Sequence, residues 1–295
     1  MNGVLVIDKP AGPTSHDVVD RVRRALRTRR IGHTGTLDPL ATGVLPLVIG
    51  CATRLASLLS GGDKEYVAGI RLGLATDTYD AFGIDEIPPP PPGITAGTIE
   101  AALEAFRGTF DQLPPPYSAK KIDGVRAYEL ARKRTAVQPA AARVTVHHLA
   151  IENSSEGLVV VRVRASAGFY VRSLAHDLGQ KLGCGAHLET LRRIRAGSFA
   201  ERDAVVLSTL ESEGVEGARR VVPLEQLLPE IPSVILSDRD RERVAHGGDV
   251  HAEADPRPAV GAAITRRRLL DGTGRLVAVA ELRPGGLLHP TIVLV

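Results

Sequence analysis

Apolar and polar residues at the start of the chain follow patterns that predict a strand and then a helix. The segment "GVLVIDKPAGPTS" (residues 3–15) places four apolar residues before a turn rich in Pro and Gly, which is typical of a short buried strand. In "TSHDVVDRVRRALRTRR" (residues 14–30), apolar residues recur at helical spacing behind Thr14 or Ser15, either of which can cap the helix. A glycine-rich loop, residues 32–43, follows this helix.

Further elements are predicted by the same patterns up to residue 199. The predicted strands alternate apolar and polar residues: 64–76, 142–153 and 157–171. The predicted helices have helical spacing: 95–110, the basic part of 113–135, and 171–183. The segment "AHLETLRRIRAGSF" (residues 186–199) is expected to continue as a second helix after the last of these.

The character of the sequence changes near residue 230. "LSDRDRERVAHGGDV" (residues 236–250) predicts a short helix with a Gly-Gly stop, and "GRLVAVAELRPGGLLHPTIVLV" (residues 274–295) predicts short strands separated by Gly and Pro. We therefore predict two domains, residues 1–230 and residues 231–295.

Length and composition are those of an ordinary globular protein. The chain has 295 residues, 43% hydrophobic and 24% charged, which is enough for one large domain and a smaller one. No apolar stretch has the length of a membrane span, and "MNGVLVIDKP" lacks the pattern of a signal peptide. The cytoplasm is therefore the expected location, and Cys51 and Cys184 are expected to be reduced thiols.

Basic residues are concentrated in two segments, although the net charge is only +3. Residues 21–30 carry six arginines and no acid, and residues 120–134 carry six bases against two acids. Guanidinium groups match phosphate oxygens, so such clusters suit a nucleic-acid backbone. A solvated helix face is the alternative, and it is favoured for either segment taken alone. Two segments together with a chemical motif favour nucleic acid.

Several motifs that would indicate a cofactor or a metal are absent. The chain has no phosphate-binding loop, no dinucleotide-binding glycine motif, no HExxH and no CxxC pair. His147 and His148 would point to opposite faces of a strand, and the acids of "DTYDAFGID" (residues 77–85) lack the spacing of a calcium loop. We therefore expect neither a metal nor an organic cofactor.

The loop "GHTGTLDPLATG" (residues 32–43) holds one carboxylate, Asp38, directly before a proline. A residue before proline is pushed into extended conformations, and glycines allow the backbone to fold closely around it. Two interpretations are open at this point. Asp38 can satisfy backbone amides in a tight turn. Kept ionised by a cation, such as His33, His16 or a distant arginine, it can instead act as a nucleophile toward a sugar anomeric carbon.

Extended to "GHTGTLDPLATGVLP", this loop resembles the signature of the TruB family of pseudouridine synthases, which isomerise the T-arm uridine of tRNA. Further blocks stand in the order that the family shows: "DKPAGPTSHDVV", "KEYVAGIRLGLATDTYDAFG", "PPPYSAKKIDGVRAYELAR", "AGFYVRSLAHDLG" and "AHLETLRRIRAGSF". The stretch from "RVAHGGDV" to "ELRPGGLLHPTIVL" resembles a PUA domain, a small RNA-binding β-barrel. The resemblance covers nearly the whole chain.

The resemblance implies an α+β fold with a large, mainly antiparallel sheet, flanking helices and a PUA-like barrel at residues 231–295. It also implies a reaction without a cofactor, in which the N1–C1′ bond of uridine breaks, the uracil rotates and a C5–C1′ bond forms. Asp38 then becomes the essential catalytic carboxylate. Whether it attacks C1′ or first removes a sugar proton is left open.

The resemblance gives roles to residues far from the loop. Tyr66 matches the tyrosine that stacks on the flipped uracil and helps to move the C5 proton, and Arg172 matches the arginine that pairs with the catalytic aspartate. Other candidates are expected to contact the substrate or shape its pocket: Lys9, His33, Asp77, Tyr170 and Leu191. The structural alternatives are a core position for Tyr66, Tyr170 and Leu191, a surface helix start for Arg172 and a turn cap for Asp77.

The expected partner is the T arm of tRNA, with the two basic segments holding its phosphates. Flipping a base out costs a few kcal/mol, and stacking on an aromatic side chain returns about 1–3 kcal/mol. We expect a monomer that needs no protein partner. One alternative is a non-catalytic tRNA-binding or folding factor on the same scaffold, and another is the same chemistry on ribosomal or guide-directed RNA.

Overall fold

The structure, a computed structural model, describes residues 1–82, 84, 86, 89, 91–117, 121–122, 125–126, 140–251 and 265–295. The helices of this part of the chain are α1 (Ser15–Ala25), α2 (Ala56–Ser60), α3 (Ala96–Leu103), α4 (Val171–Leu182), α5 (Leu207–Glu213) and α6 (Asp238–Ala245). Short 3₁₀ helices lie at Gly50–Leu55, Glu104–Phe106, Glu201–Asp203, Gly214–Arg220, Leu224–Gln226 and Pro284–Gly286. Among the described helices, none has the length and apolar character needed to cross a membrane.

The strands form one large sheet, one small sheet and a hairpin. In chain order they are β1 (Gly3–Lys9), β2 (Ile31–His33), β3 (Thr42–Ile49), β4 (Lys64–Leu72), β5 (Gly108–Gln112), β6 (Lys121–Ile122), β7 (Val125–Arg126), β8 (Ala142–Ser155), β9 (Leu158–Ala165), β10 (Ala186–Ala196), β11 (Phe199–Ala200), β12 (Val205–Val206), β13 (Val222–Pro223), β14 (Ser233–Ile235), β15 (Val250–His251), β16 (Arg266–Leu270), β17 (Leu276–Arg283) and β18 (Leu287–Val293).

The large sheet has the order β12-β1-β3-β10-β4-β9-β8-β5, with β2 beside β3, β11 beside β10 and β13 beside β1. Its pairs are antiparallel apart from β1 with β12 and β3 with β10. The α+β class with a mainly antiparallel sheet is therefore confirmed. The strands expected at 64–76, 142–153 and 157–171 correspond to β4, β8 and β9.

The prediction of a helix at residues 186–199 is wrong, because most of this segment forms β10, a central strand between β3 and β4. Its register against β4 is irregular between Leu188 and Thr190 and again between Arg193 and Arg195. These irregularities break the period of two, so that buried Leu188 and Leu191 stand three residues apart and imitate a helical spacing. Two flanking strands satisfy the backbone of β10, which helix propensity alone does not reveal.

Helix α1 begins as the sequence predicts. Thr14 is its cap, and the Asp17 side chain accepts a hydrogen bond from the Thr14 backbone in return, at 2.8 Å. Val18 and Val22 are fully buried and fasten the helix to the sheet. Helix α4 ends as predicted at Gly183, whose φ of 71° is the left-handed conformation that glycine adopts without a side-chain clash.

The large sheet buries apolar side chains on both faces. In β1, Leu5 and Ile7 belong to the core under the helices, whereas Val4 and Val6 belong to a second core on the other face. This division follows from the alternation of side chains along a strand. One face of the sheet therefore carries α4 and the candidate site.

The small sheet has the order β14-β16-β17-β18-β15. Leu276 and Leu294 from this sheet region share the second core with Val4 of β1, so the small sheet packs on the back of the large one. A separate five-stranded sheet agrees with the expected fold. The division into domains at residue 230 stays a prediction.

Candidate active site

The loop that carries Asp38 is fastened from inside by two side chains. The Ser15 hydroxyl, at the start of α1, donates to the Leu37 carbonyl at 3.0 Å and accepts from the Leu37 N–H at 2.8 Å. The Lys9 ammonium donates to the carbonyls of Pro39 (3.2 Å), Ala41 (2.7 Å) and Pro10 (2.9 Å). The loop is thus held on both sides of Asp38 by polar bonds within the protein.

Arg172, the second residue of α4, meets Asp38 with two nitrogens. Its Nε lies 2.9 Å from Oδ2 of Asp38, and its Nη2 donates to Oδ1 at 3.2 Å. Nη2 also donates to the Tyr117 carbonyl at 2.8 Å, and Nη1 donates to the Thr78 carbonyl at 3.1 Å. Nη1 lies 3.7 Å from Oδ2 of Asp80. Arg172 is 6% exposed, and its guanidinium is oriented by groups from three parts of the chain: the Asp38 loop, the turn at residues 78–80 and Tyr117.

Opposing effects act on the ionisation of Asp38. Burial raises the pKa of the Asp38 carboxyl, and the Asp80 carboxylate raises it further. Arg172 and the Lys9 ammonium lower the same pKa and so favour the carboxylate. The Asp38 side chain is 32% exposed, so it is open to a substrate on one side while its cation lies on the other.

Tyr66 lies opposite Arg193 in the ladder between β4 and β10. The Arg193 side chain is 1% exposed and donates to the carbonyls of Val44 (2.7 Å) and Gly35 (3.1 Å). Burial raises the pKa of the Tyr66 phenol, whereas the charge of Arg193 and a hydrogen bond with it lower this pKa. Arg193 therefore connects three elements: β4, which carries Tyr66, the loop before Asp38 at Gly35, and β3 after it at Val44.

Asp38 and Tyr66 line one cavity of about 280 Å³. Arg172, Tyr170 and Leu191 also line it, at the start of α4 and in the middle of β10. The remaining lining residues are Gly35, Thr36, Leu37, Ser60, Lys64, Ser166, Ala167, Gly168, Phe169, Val171 and Arg193. Ligand pockets are of about this size and combine apolar walls with a few placed polar groups. The volume suits one flat heterocycle.

The backbone of Tyr170 is held by the buried amide of Gln112, the last residue of β5. The Tyr170 N–H donates to Oε1 of Gln112 at 2.8 Å, and Nε2 of Gln112 donates to the Tyr170 carbonyl at 3.0 Å. Gln112 is 2% exposed. These two hydrogen bonds fix the position of Tyr170, which directly precedes α4 and lines one wall of the cavity.

The other expected pocket residues lie elsewhere. Lys9 is buried and donates to carbonyls of the Asp38 loop, so it supports the wall of the cavity from behind. Burial lowers its pKa to about 8. His33 is half-buried on β2, and burial lowers its pKa. Asp77 is exposed and does not line the cavity.

The two basic segments differ in how much of them the structure describes. In residues 21–30, Arg21 pairs with Glu211 at 2.6 Å and Arg23 pairs with Asp20 at 2.8 Å, whereas the remaining bases include exposed Arg24, Arg27 and Arg29. Residues 120–134 lie outside the described part of the chain apart from the backbone of β6 and β7.

Two family models match the chain in succession. The model of the TruB family pseudouridylate synthase (N terminal domain) matches residues 23–171, and that of the tRNA pseudouridylate synthase B C-terminal domain matches residues 172–229. The chain is 45% identical over 299 residues to tRNA pseudouridine synthase B of Solibacter usitatus, covering both proteins completely.

The chain belongs to the TruB family.

Relatives and solved structures extend this result. The protein of the same name from Azoarcus is 40% identical over 97% of this chain and 93% of its own length. In a crystal structure of a Cbf5–Nop10–Gar1 complex, the matching chain has a TM-score of 0.77 and 28% identity, covering 99% of this chain and 85% of that one. A chain in an H/ACA RNP bound to a substrate RNA containing 2′-deoxyuridine gives a TM-score of 0.72 and 27% identity.

Three residues of this TruB-family site were missed by the sequence interpretation. Asp80 stands in the same "DTYD" segment as Asp77, and the isolated β-bridge from Asp80 to Leu188 brings it to Arg172. Arg193 is hidden in the run "LRRIR", whose placement in a strand was also missed. For Gln112 the sequence offers no signal beyond its position before the prolines.

Proposed function

We propose that the chain isomerises the T-loop uridine (uridine 55) of tRNA to pseudouridine. The observation that carries the proposal is the ion pair between Asp38 and Arg172 on the wall of a cavity that Tyr66 also lines. The full-length similarity to tRNA pseudouridine synthase B of Solibacter usitatus supports tRNA as the substrate class.

The reaction is an internal exchange of bonds. The N1–C1′ bond breaks, the uracil rotates within the cavity, C5 bonds to C1′, and the C5 proton leaves while N1 gains a proton. Asp38 takes part either by attacking C1′ or by removing a sugar proton, and both roles require the carboxylate form. Arg172 supports that form, because its guanidinium contacts both carboxylate oxygens.

Tyr66 is proposed to stack on the flipped uracil and to assist movement of the C5 proton. Burial raises the pKa of the Tyr66 phenol, which favours the neutral ring and suits it to stacking. Tyr170 and Leu191 are proposed to contact the base on other sides of the cavity, with Phe169 beside them. Lys9 supports the loop, while His33 and Asp77 are proposed to contact RNA outside the cavity.

The RNA surface is proposed to extend beyond the cavity. Exposed Arg24, Arg27 and Arg29 are free to meet phosphates near one end of α1, and residues 120–134 add a second basic segment. Residues 231–295 are proposed to form a PUA-like RNA-binding domain, with exposed arginines at 239, 241 and 243 on α6. Cytoplasmic location and action as a monomer without a protein partner belong to the same proposal.

Tritium release from tRNA labelled at uracil C5 tests the function directly. The wild-type chain, purified alone, is expected to release tritium, and Asp38→Asn is expected to release none while retaining tRNA binding. Asp111→Asn is the matched control, because Asp111 lies on the surface with a loose ion pair at 3.5 Å to Arg143. Undiminished release from Asp38→Asn would refute the catalytic assignment, and tRNA binding without wild-type turnover would favour a folding factor.

A further inference from the structure

The turn at residues 78–80 supplies two of the groups that hold Arg172. The Thr78 carbonyl accepts a hydrogen bond from Nη1 of Arg172 at 3.1 Å, and Oδ2 of Asp80 lies 3.7 Å from the same nitrogen. The Thr78 hydroxyl donates to Oδ1 of Asp80 at 2.6 Å and keeps the two groups in fixed relation. The position of this turn therefore sets where the Arg172 guanidinium can point.

The residue in the middle of the turn, Tyr79, has a strained backbone. Its φ is +63°, in the left-handed region that residues with a side chain seldom adopt. Such a conformation is unfavourable and persists only where the surroundings impose it. The Tyr79 carbonyl accepts from the Leu188 N–H at 2.9 Å, which ties one side of the turn to β10. On the side facing α4, the turn makes a further contact besides those with Arg172, through the Tyr79 side chain.

The Tyr79 ring makes that contact. It stacks on the imidazole of His176 with ring centroids 3.7 Å apart and planes inclined by 9°. His176 stands four residues after Arg172 on α4, so both side chains lie on the same face of the helix, one turn apart. The helix that presents Arg172 thus also docks the turn that orients it.

Tyr79 takes part in the stack as a neutral aromatic ring. Burial raises the pKa of the Tyr79 phenol, and the Asp177 carboxylate next to His176 raises it further, so Tyr79 is neutral at physiological pH. Neither Tyr79 nor His176 lines the cavity, and neither belongs to the set of residues proposed to touch RNA.

We propose that Tyr79 and His176 are positioning residues, which act together to hold the turn at residues 78–80 against α4 and thereby keep Arg172 paired with Asp38. Without the stack, the turn can relax from its left-handed conformation and withdraw the Thr78 carbonyl and Asp80 from Arg172. The guanidinium then loses two of its fixed neighbours, and its orientation toward Asp38 changes. This inference rests on the proposed function only for its consequence in catalysis.

Two substitutions at His176 distinguish the effect of losing the stacked ring from the effect of losing the imidazole itself. His176→Ala removes the ring, whereas His176→Phe keeps a flat ring of similar size. In single-turnover tritium release at saturating tRNA, His176→Ala is expected to be about 10- to 100-fold slower with unchanged tRNA affinity. Its acid limb should also move to higher pH, because Arg172 affects the pKa of Asp38 more than Asp80 does, so the loss of the Arg172 pairing outweighs the withdrawal of Asp80. His176→Phe is expected to stay within about threefold of wild type at every pH.

A second readout does not need turnover. In protein labelled with ¹⁵N-arginine, the Nε–H resonance of Arg172 is assigned by its disappearance in Arg172→Lys. His176→Ala should shift this resonance, and His176→Phe should leave it near its wild-type position. Thermal unfolding of both variants confirms that each is folded, and Tyr79→Leu with Tyr79→Phe repeats the comparison from the other ring.

The outcomes separate the two proposals. If the wild-type protein turns over and His176→Ala has the same rate, acid limb and Arg172 resonance as wild type, the positioning role is overturned. The proposed function is then unaffected. A wild type without turnover contradicts the function, and the Arg172 resonance then decides the positioning role alone. Equal defects in His176→Phe and His176→Ala also overturn it, because a flat ring would then not be what holds the turn.

Discussion

Arg172 contacts both oxygens of Asp38, Nε at 2.9 Å from Oδ2 and Nη2 at 3.2 Å from Oδ1. The two residues are 134 positions apart in the chain. The same guanidinium donates to the carbonyls of Thr78 and Tyr117, so its plane is fixed independently of Asp38. The carboxylate therefore meets a cation that is already oriented, which is the arrangement that electrostatic catalysis requires.

Arg172→Lys is expected to lower the rate of the chemical step by about 10²- to 10³-fold. Lysine keeps the positive charge but cannot contact two carboxylate oxygens in one plane. Single-turnover tritium release measures the rate, and a filter-binding assay checks that tRNA affinity is retained. Arg71→Lys is the matched control, because Arg71 forms a similar pair with Glu189 outside the cavity. Equal losses in both variants would contradict a special role for Arg172.

The rate of the chemical step is expected to fall as the pH falls through the pKa of Asp38. Burial raises that pKa, so the fall should begin above the pH at which an exposed aspartate titrates, about 3.9. The Lys9 charge lowers the pKa of Asp38, so Lys9→Met should move the acid limb further up. Single-turnover rates across the pH range measure both effects, and a limb that moves down in Lys9→Met is the contrary result.

Lys9 also predicts how stability depends on pH. Burial lowers its pKa from 10.5 to about 8, so between these values the unfolded chain binds a proton that the folded chain does not. Stability should therefore rise with pH in this window, by about 1.4 kcal/mol per pH unit for one lysine. Lys64, also with a pKa of about 8, adds to the rise. Urea unfolding from pH 8 to 9.5 should show a steeper rise for wild type than for Lys9→Met.

Gln112→Leu is expected to destabilise the protein and to weaken substrate binding. The change removes the hydrogen bonds that the Tyr170 N–H and carbonyl make at 2.8 and 3.0 Å, while the carbonyl keeps its bond from the Leu174 N–H at 3.2 Å. The loss is expected to cost about 1–3 kcal/mol. Gln112→Glu keeps the acceptor for the Tyr170 N–H but buries a carboxyl group beside the Tyr170 carbonyl, so it should lower the free energy of unfolding as well. Urea denaturation and the tRNA dependence of the rate test this, and wild-type stability for Gln112→Leu would contradict it.

Gly43→Ala is expected to lower the free energy of unfolding by more than about 1 kcal/mol. Gly43 has a φ of +98°, and an added Cβ would lie 2.2 Å from the Arg193 carbonyl oxygen, where β3 meets β10. Gly32→Ala is the control in the same region, because its Cβ would make an ordinary contact at 3.5 Å with Val48. Thermal or urea unfolding compares the two, and equal effects would show that the close approach to Arg193 is unimportant.

The sequence alone was sufficient for the elements whose signals are local. The Thr14 cap, the buried valines of α1 and the stop of α4 at Gly183 all follow from short-range patterns. The family resemblance gave Asp38 its catalytic role and added Tyr66, Arg172, Tyr170 and Leu191, and the structure brings these five to one cavity. The helix predicted for residues 186–199 was wrong as a prediction, because the irregular register of β10 places apolar residues at a helix-like spacing.

Only the tertiary structure could identify the groups that act through long-range pairing. Asp80 rather than Asp77 approaches Arg172, because the turn around Tyr79 reverses the chain and docks on β10 and α4. Arg193 becomes a buried link beside Tyr66 through the pairing of β4 with β10. Local composition determines caps, turns and apolar faces, since these depend on neighbours within a few residues. The partners of a charged side chain depend on which strands pair, and strand pairing is decided by the packing of the whole sheet.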